Sequence, residues 1–154
     1  MNILIVCSGN ICRSPMADIY LRHRLGLQNS SYTVSSAGTL GIHDDLAASE
    51  AVSVVASEAG LDLSAHSTRG VTRESVEEAD VILVMEKRHR RYLATLYPGH
   101  VKKIHLLSEY VPKGLGLARG DDIFDPVGME REAFRQCFHL IRSCLDRFAE
   151  DLEA

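Results

Sequence analysis

A chain of 154 residues is long enough for one ordinary domain and short for two, so a single domain over 1–154 is expected. Hydrophobic residues make up 45% and charged residues 25%, which is a globular balance and excludes a disordered or low-complexity chain. Seventeen Lys and Arg against 21 Asp and Glu give a formal charge of −4, a poor basis for nonspecific binding to nucleic acid or an anionic membrane, so neither is expected as a partner. The first element, 2–6 (Asn-Ile-Leu-Ile-Val), is a continuous apolar run of the kind that forms a strand covered on both faces. A helix over 15–26 and a weaker strand over 32–36, closed by Ala37-Gly38, come next. Helices are then predicted over 46–60 and 73–78, a second fully buried strand over 80–85, a helix over 87–97 and a fourth strand over 103–107.

The stretch 111–122 is the one long loop, and long loops in compact domains often carry function. The last helix is the clearest element: Phe134, Phe138, Ile141, Leu145 and Phe148 recur at helical spacing on one face, flanked by Cys137 and Cys144. Strand and helix alternate throughout, with no internal repeat or linker. This predicts an α/β fold: a doubly wound, Rossmann-like parallel sheet with helices on both faces. Ligands of such sheets bind beyond the carboxyl ends of the strands.

No apolar run reaches the length of a membrane span, and the longest are Ile3 to Cys7 and Val81 to Met85. The start lacks a basic region followed by an export core, so a reducing cytoplasm is the expected location. Cys7, Cys12, Cys137 and Cys144 fit neither a small-domain disulfide scaffold nor a zinc spacing, so no metal and no cofactor are expected.

The first strand runs straight into Cys7-Ser8-Gly9-Asn10-Ile11-Cys12-Arg13-Ser14-Pro15, with Ser14 read as the N-cap of the following helix and Pro15 as its first residue. A strand-to-helix loop aims several backbone N–H groups at one spot with the helix dipole behind them, which is a cradle for a phosphate-like anion. Gly9 supplies freedom for a positive φ or a close approach, and Asn10 is the next most tolerant residue. Cys7 stands at the base of the loop, where converging N–H dipoles favour a thiolate nucleophile. Arg13 offers a planar fork that matches two phosphoryl oxygens. The Walker lysine pattern is missing, so P-loop nucleotide binding is not expected.

The string Val6-Cys7-Ser8-Gly9-Asn10-Ile11-Cys12-Arg13-Ser14-Pro15 resembles the signature of the low-molecular-weight protein-tyrosine phosphatases. Ser35-Ser36-Ala37-Gly38-Thr39, Ser64-Ala65-His66-Ser67-Thr68-Arg69, Ala79 to Met85, and Asp125-Pro126 follow in the family's order at similar separations. The resemblance implies a four-stranded parallel sheet and metal-independent hydrolysis of phosphomonoesters through a phosphocysteine. It implies Cys7 as nucleophile, Arg13 as phosphate clamp and Asp125 as general acid and then general base. It implies Ser8, Gly9, Asn10, Ile11, Cys12 and Ser14 as the loop around the phosphate or another oxyanion. Ser36 and His66 are implied as supports of that loop. A phenol leaves with a conjugate-acid pKa of about 10, so a proton donor over the leaving oxygen is needed, and Pro126 restrains Asp125 to an extended conformation. Asp121 and Asp122 are read as solvated loop charges. A reversible Cys7–Cys12 disulfide is a further implication of the resemblance, beside the plain reading of Cys12 as a small packing residue.

Specificity is read from the loops that wall the site. Leu40-Gly41-Ile42-His43 and Val127-Gly128-Met129 replace the aromatics that many tyrosine-specific members carry there, in which respect the chain is similar to a bacterial branch that includes protein-arginine phosphatases. Ile11 points the other way: arginine-specific members carry threonine at that position, and isoleucine offers apolar surface suited to a phenyl ring. The expected substrate is therefore a phosphotyrosyl protein, with a phosphoarginyl protein as the alternative. A thioredoxin-coupled arsenate reductase and a cysteine phosphocarrier are distant alternatives. A monomer or weak homodimer is expected.

Overall fold

The computed structural model describes residues 1–26 and 31–154. Four parallel strands, β1 (Asn2–Cys7), β2 (Thr33–Gly38), β3 (Val81–Val84) and β4 (Ile104–Leu106), form one sheet in the order β2-β1-β3-β4. The helices are α1 (Arg13–Leu25), α2 (Ser49–Ala59), α3 (Arg73–Glu78), α4 (Lys87–Leu96) and α5 (Arg131–Glu153), with 3-10 turns at Pro98–Lys103 and Leu107–Tyr110. The order reverses between β1 and β3, so the segments leaving those two central strands diverge and open a crevice at their carboxyl ends.

The apolar run of β1 divides by the strand period of two. Ile3 and Ile5 join the core under α1, α2 and α5, whereas Leu4 and Val6 join the smaller core under α3 and α4. β3 divides in the same way, with Ile82 and Val84 on the α4 side and Leu83 on the other. Both faces of the sheet are thus covered, as the uninterrupted apolar runs require. The α5 stripe is buried as read, including Cys137 and Cys144. Its aromatics meet their neighbours edge to face: Phe138 against Tyr20 at 5.9 Å and Phe148 against Tyr110 at 5.1 Å.

Several expected boundaries move. β2 extends through Gly38, because Cys7 and Gly38 still pair at the end of the ladder. β3 and β4 each lose one residue at either end of the expected run: Asp80 precedes its ladder and Met85 packs into the core, while Lys103 and Leu107 belong to the flanking 3-10 turns. α2 starts at Ser49, three residues inside its expected start. The irregular stretch is longer than 111–122; no helix or strand occurs over 111–130. Ser14 is not the N-cap. The helix begins at Arg13 with Cys12 at the cap position and no side-chain cap, and Ser14 is buried inside the first turn where its hydroxyl serves Cys7 instead.

Gly9 does not take a positive φ; the left-handed residue of the loop is Asn10, with φ 58°. A side chain at Gly9 would make only ordinary contacts, the nearest 3.5 Å away. The glycine that sterics demand beside this loop is Gly38, across the ladder from Cys7. A Cβ there would stand 2.6 Å from the Ser8 carbonyl oxygen and 3.0 Å from the Asn10 nitrogen, and backbone cannot step aside. Gly38→Ala is therefore expected to destabilise the fold by about 1–3 kcal/mol through overpacking and to deform the loop. Urea unfolding and oxyanion affinity measured on the same variant check both effects, and unchanged values for the two would refute the close approach.

Candidate active site

β1 delivers Cys7 to the crevice and α1 takes the chain away, so residues 8–12 must turn within a few ångströms. The turn is held from outside. The carbonyls of Cys7 and Ser8 accept from the Thr39 and Leu40 N–H groups at 2.9 Å each, and that of Ile11 accepts from Ala48 at 2.7 Å. The Asn10 carbonyl accepts from His66 Nε2 at 2.8 Å. With the oxygens drawn outward, the N–H groups turn inward: from Gly9 to Arg13 none donates to a protein acceptor among the described residues. Converging N–H groups at the start of a helix form an anion cradle.

Asn10 keeps the loop in this shape. It is fully buried and left-handed, a conformation asparagine tolerates better than most residues. Its amide nitrogen donates to Ser14 Oγ at 2.8 Å and Ser36 Oγ at 3.0 Å, and its oxygen accepts from the Arg69 N–H at 3.1 Å. Ser14 Oγ accepts from Asn10 and stands 2.9 Å from Cys7 Sγ and 3.5 Å from the Ala37 carbonyl, the closer of which is the thiol. Ser36 and His66, the expected supports, thus both stand against Asn10. Arg69, part of the 64–69 motif but given no role from sequence alone, ties the same layer by donating from Nε to the Ser36 carbonyl at 2.8 Å.

Arg13 is 1% exposed. Its Nη1 donates to the Ile123 carbonyl at 2.7 Å and pairs with Glu86 Oε2 at 2.7 Å. Both hydrogens of Nη1 are thereby used, which leaves the Nε and Nη2 edge of the fork for a ligand. Among the described residues that edge has one ion-pair partner, Asp125, whose Oδ2 lies 3.5 Å from Nη2. Asp125 is held at the rim by an Asx turn in which Val127 N–H donates to its Oδ1 at 3.1 Å.

Sequence reasoning missed Glu86, Arg88 and His89. Glu86 stands two residues after β3 and just before α4, beside β1 where the strand order reverses, and a charged residue at the carboxyl end of a central strand belongs to the crevice; that was the available signal for it. Its carboxylate bridges two guanidinium groups, Arg13 within and Arg88 outside, the latter at 3.0 Å. Burial pushes Glu86 up, but the hydrogen bonds from Arg88 and Arg13 outweigh it and hold the carboxyl below its ordinary value. His89 lies under Ser8. Its Nδ1 accepts from the Glu86 N–H at 3.1 Å, which fixes the proton on Nε2, and Nε2 donates to Ser8 Oγ at 2.8 Å. Ser8 Oγ also accepts from Arg88 Nη2 at 3.0 Å, so its own O–H is free to turn toward the cradle. Asp122 is more than a solvated charge, since its Oδ1 accepts from the Lys87 N–H at 2.7 Å at the start of α4.

The four cysteines are free and buried. Burial raises the Cys12 thiol far above the ordinary range, with Cys137 and Cys7 nearby adding to it, and burial pushes Cys137 and Cys144 up to about 12. These three are protonated packing groups.

Over the cradle opens a cavity of about 150 Å³ walled by Ile11, Leu40, Ile42 and Val127, with Cys7, Arg13 and Asp125 at its floor and rim. A larger hollow of about 390 Å³ lies behind the loop, among Asp18, Arg22, His66 and Arg69. Neither Cys7 nor Arg13 belongs to its wall, so it is not the chamber in which the two could act together.

Fold and site together define a doubly wound α/β protein with an anion cradle and a thiol after its first strand. The chain belongs to the low molecular weight phosphotyrosine protein phosphatase family, whose model matches residues 2–154. A Klebsiella pneumoniae protein assigned to the low molecular weight protein-tyrosine-phosphatases is 38% identical over 99% of this chain and 97% of its own. A protein-arginine-phosphatase of Bacillus subtilis is 29% identical over 99% of this chain and 97% of its own. Among solved structures, the YwlE arginine phosphatase, as a C7S mutant with a phosphorylated active-site serine, superposes with a TM-score of 0.88 at 28% identity, covering 99% of this chain and 96% of that one. The low molecular weight protein tyrosine phosphatase of T. tengcongensis gives 0.88 at 33% identity, with 98% and 99% covered.

The His89 contacts set a pH dependence. Burial, reinforced by the Arg13 charge, pushes His89 from 6.5 down to about 4. The unfolded chain therefore takes a proton as the pH falls below 6.5, whereas the folded chain resists until about 4. The stabilisation is complete above the upper value and is lost on descent to the lower one, with a total on the order of 3 kcal/mol. Denaturant titrations from pH 7 to pH 4 are expected to show this loss, and His89→Gln should flatten the slope in that window. Equal slopes for the two proteins would remove His89 as its source.

Proposed function

We propose that the chain hydrolyses phosphotyrosyl residues of proteins through a phosphocysteine intermediate. The observation that carries this is the shared cavity of three groups: Cys7 Sγ bonded to the Ser14 hydroxyl, the Nε and Nη2 edge of Arg13 that Glu86 and the Ile123 carbonyl leave open, and Asp125 3.5 Å from that same edge. The loop N–H groups and the Arg13 fork hold the three phosphoryl oxygens. The Cys7 thiolate attacks phosphorus while the bond to the phenolic oxygen breaks, and Asp125 gives its proton to that oxygen. Water then attacks the phosphocysteine, Asp125 takes one proton back, the S–P bond breaks, and inorganic phosphate leaves with the thiolate restored. As negative charge shifts among the equatorial oxygens, the fixed donors of the loop and Arg13 stabilise it without having to reorganise. No step needs a metal ion.

The aliphatic wall of Ile11, Leu40, Ile42 and Val127 supports an aryl substrate, because it removes ring surface from water and offers a guanidinium no acceptor. Hydrolysis of phosphoarginine by the same steps is the second reading, supported by the whole-length similarity to the Bacillus subtilis protein-arginine-phosphatase. Cys7→Ser is expected to abolish turnover while oxyanion binding persists. Asp125→Asn should lose about 10²–10⁴-fold on phenyl phosphate and much less on an activated nitrophenyl ester, whose leaving group needs no proton. Steady-state rates with a chelator present test both, and an active Cys7→Ser variant or a requirement for a divalent ion would overturn the proposal. Phosphotyrosyl and phosphoarginyl peptides assayed side by side decide the substrate: the tyrosyl peptide should be favoured, and Ile11→Thr should shift the preference toward the arginyl one. A preference of the wild type for the arginyl peptide would establish the second reading instead.

A further inference from the structure

Four of the chain's 17 Lys and Arg side chains fall within five residues, Lys87, Arg88, Arg90 and Arg91, although the protein as a whole is acidic. All four are exposed, and they occupy the first half of α4. Nothing in the stability of that helix explains them. Cations at a helix N-terminus oppose the macrodipole, and the last turn, where they would be favoured, has none. Lys87 and Arg91 are four apart, and Arg88 and Arg91 three apart, so like charges face one another on one surface. Only Arg88 is neutralised, by Glu86; Lys87, Arg90 and Arg91 have no acidic partner within ion-pair distance among the described residues.

The cluster begins at the mouth of the site. The Arg88 guanidinium, with its side chain 61% exposed, donates to Ser8 Oγ at 3.0 Å, and Ser8 lines the cavity over Cys7. Arg91 stands one helical turn farther on, about 5 Å along the axis, a distance that fewer than two residues of an extended peptide cover. Tyr92, 45% exposed, follows on the same flank as Arg88.

We infer that this face of α4 is a docking surface for acidic side chains that flank the phosphorylated residue of the protein substrate. The inference rests on the phosphatase reading and adds to it a preference for substrates rich in Asp, Glu or further phosphate groups within about five residues of the target. An acidic peptide fits better than a membrane or a nucleic acid, because the net charge of −4 repels large polyanions while the short basic face attracts a local one.

The test compares phosphotyrosyl peptides carrying three Glu before, three Glu after, or three Gln on both sides of the target, at low and high salt. The variant is Lys87→Glu/Arg91→Glu, neither residue touching the cradle. At low salt at least one acidic peptide should exceed the Gln peptide in kcat/KM by about tenfold, the effect that two or three exposed ion pairs supply. The double variant and high salt should each remove the preference, while kcat/KM on phenyl phosphate stays within about twofold. No preference in the wild type, or an equal preference in the variant, overturns the inference. So does tighter binding to phosphatidylserine vesicles or to a single-stranded oligonucleotide that the double variant loses, since the face would then belong to a membrane or a nucleic acid. Fluorescence anisotropy with non-hydrolysable phosphonate versions of the same peptides reads docking without turnover. A chain that binds the acidic phosphonate selectively but hydrolyses nothing would sink the catalytic reading alone.

Discussion

A guanidinium as deeply placed as that of Arg13 is sustained only when its charge and its N–H groups are met, and the partner that meets it comes from the other side of the sheet's midline. Glu86 follows β3, Arg13 follows β1, and their contact at 2.7 Å closes the crevice left by the reversal of strand order. Removing one member of such a pair leaves an unmatched buried charge, a defect of about 3–5 kcal/mol in comparable settings. With Nη1 committed to Glu86 and to the Ile123 carbonyl, the fork can present only its other edge to the cradle. Orientation of the cation is thereby fixed before any anion arrives, and the reorganisation needed at the moment of charge transfer is small.

The parts of the molecule that could be read from the sequence were those governed by neighbours in the chain. β1 followed from its apolar run, α5 from its helical stripe, and the cradle from a strand, a short polar loop and a helix in immediate succession. The cradle residues lie within one loop, so their order in sequence is nearly their order in space. What escaped were contacts between distant segments. His89 meets Ser8 across the crevice, and nothing local distinguishes it from an ordinary helix histidine. Gly38 was legible as the end of a strand, but its need to be glycine arises from a carbonyl thirty residues away in the chain. Ser14 was assigned to capping because serine before a helix usually caps; a thiol at 2.9 Å offered its hydroxyl a better use. Gly9 offers either a positive φ or a close approach and ranks ahead of Asn10 on sequence alone, yet Asn10 performs the left-handed turn, because the buried partners that favour it there come from β2 and from the 66–69 segment.

The two sides of the site are stabilised in different ways. Around Cys7 the carbonyls of Cys7, Ser8, Asn10 and Ile11 and the Asn10 amide are engaged, so the cradle is over-determined by hydrogen bonds from β2, from the segment before α2 and from residues 66–69. Serine hydroxyls mark its two ends: Ser14 lies beneath the thiol, 2.9 Å from Cys7 Sγ, and Ser8 lies beneath the rim, where its oxygen already accepts from His89 and Arg88 and its proton is left for the anion side. Asp125 has no such scaffold. It sits in the irregular stretch over 111–130, anchored locally by its own Asx turn and across the crevice by Arg13.

This asymmetry makes Asp125 a separable part. Because Asp125 and one wall of the mouth, Val127, ride on a segment outside the sheet and the helices, insertions or substitutions there can reshape the mouth while the sulfur and its amide collar keep their geometry. The collar admits no equivalent variation, since Gly38 already touches it on one side and Asn10 fills it on the other. Divergence toward new phosphorylated targets is therefore channelled into the rim, and the centre stays the same.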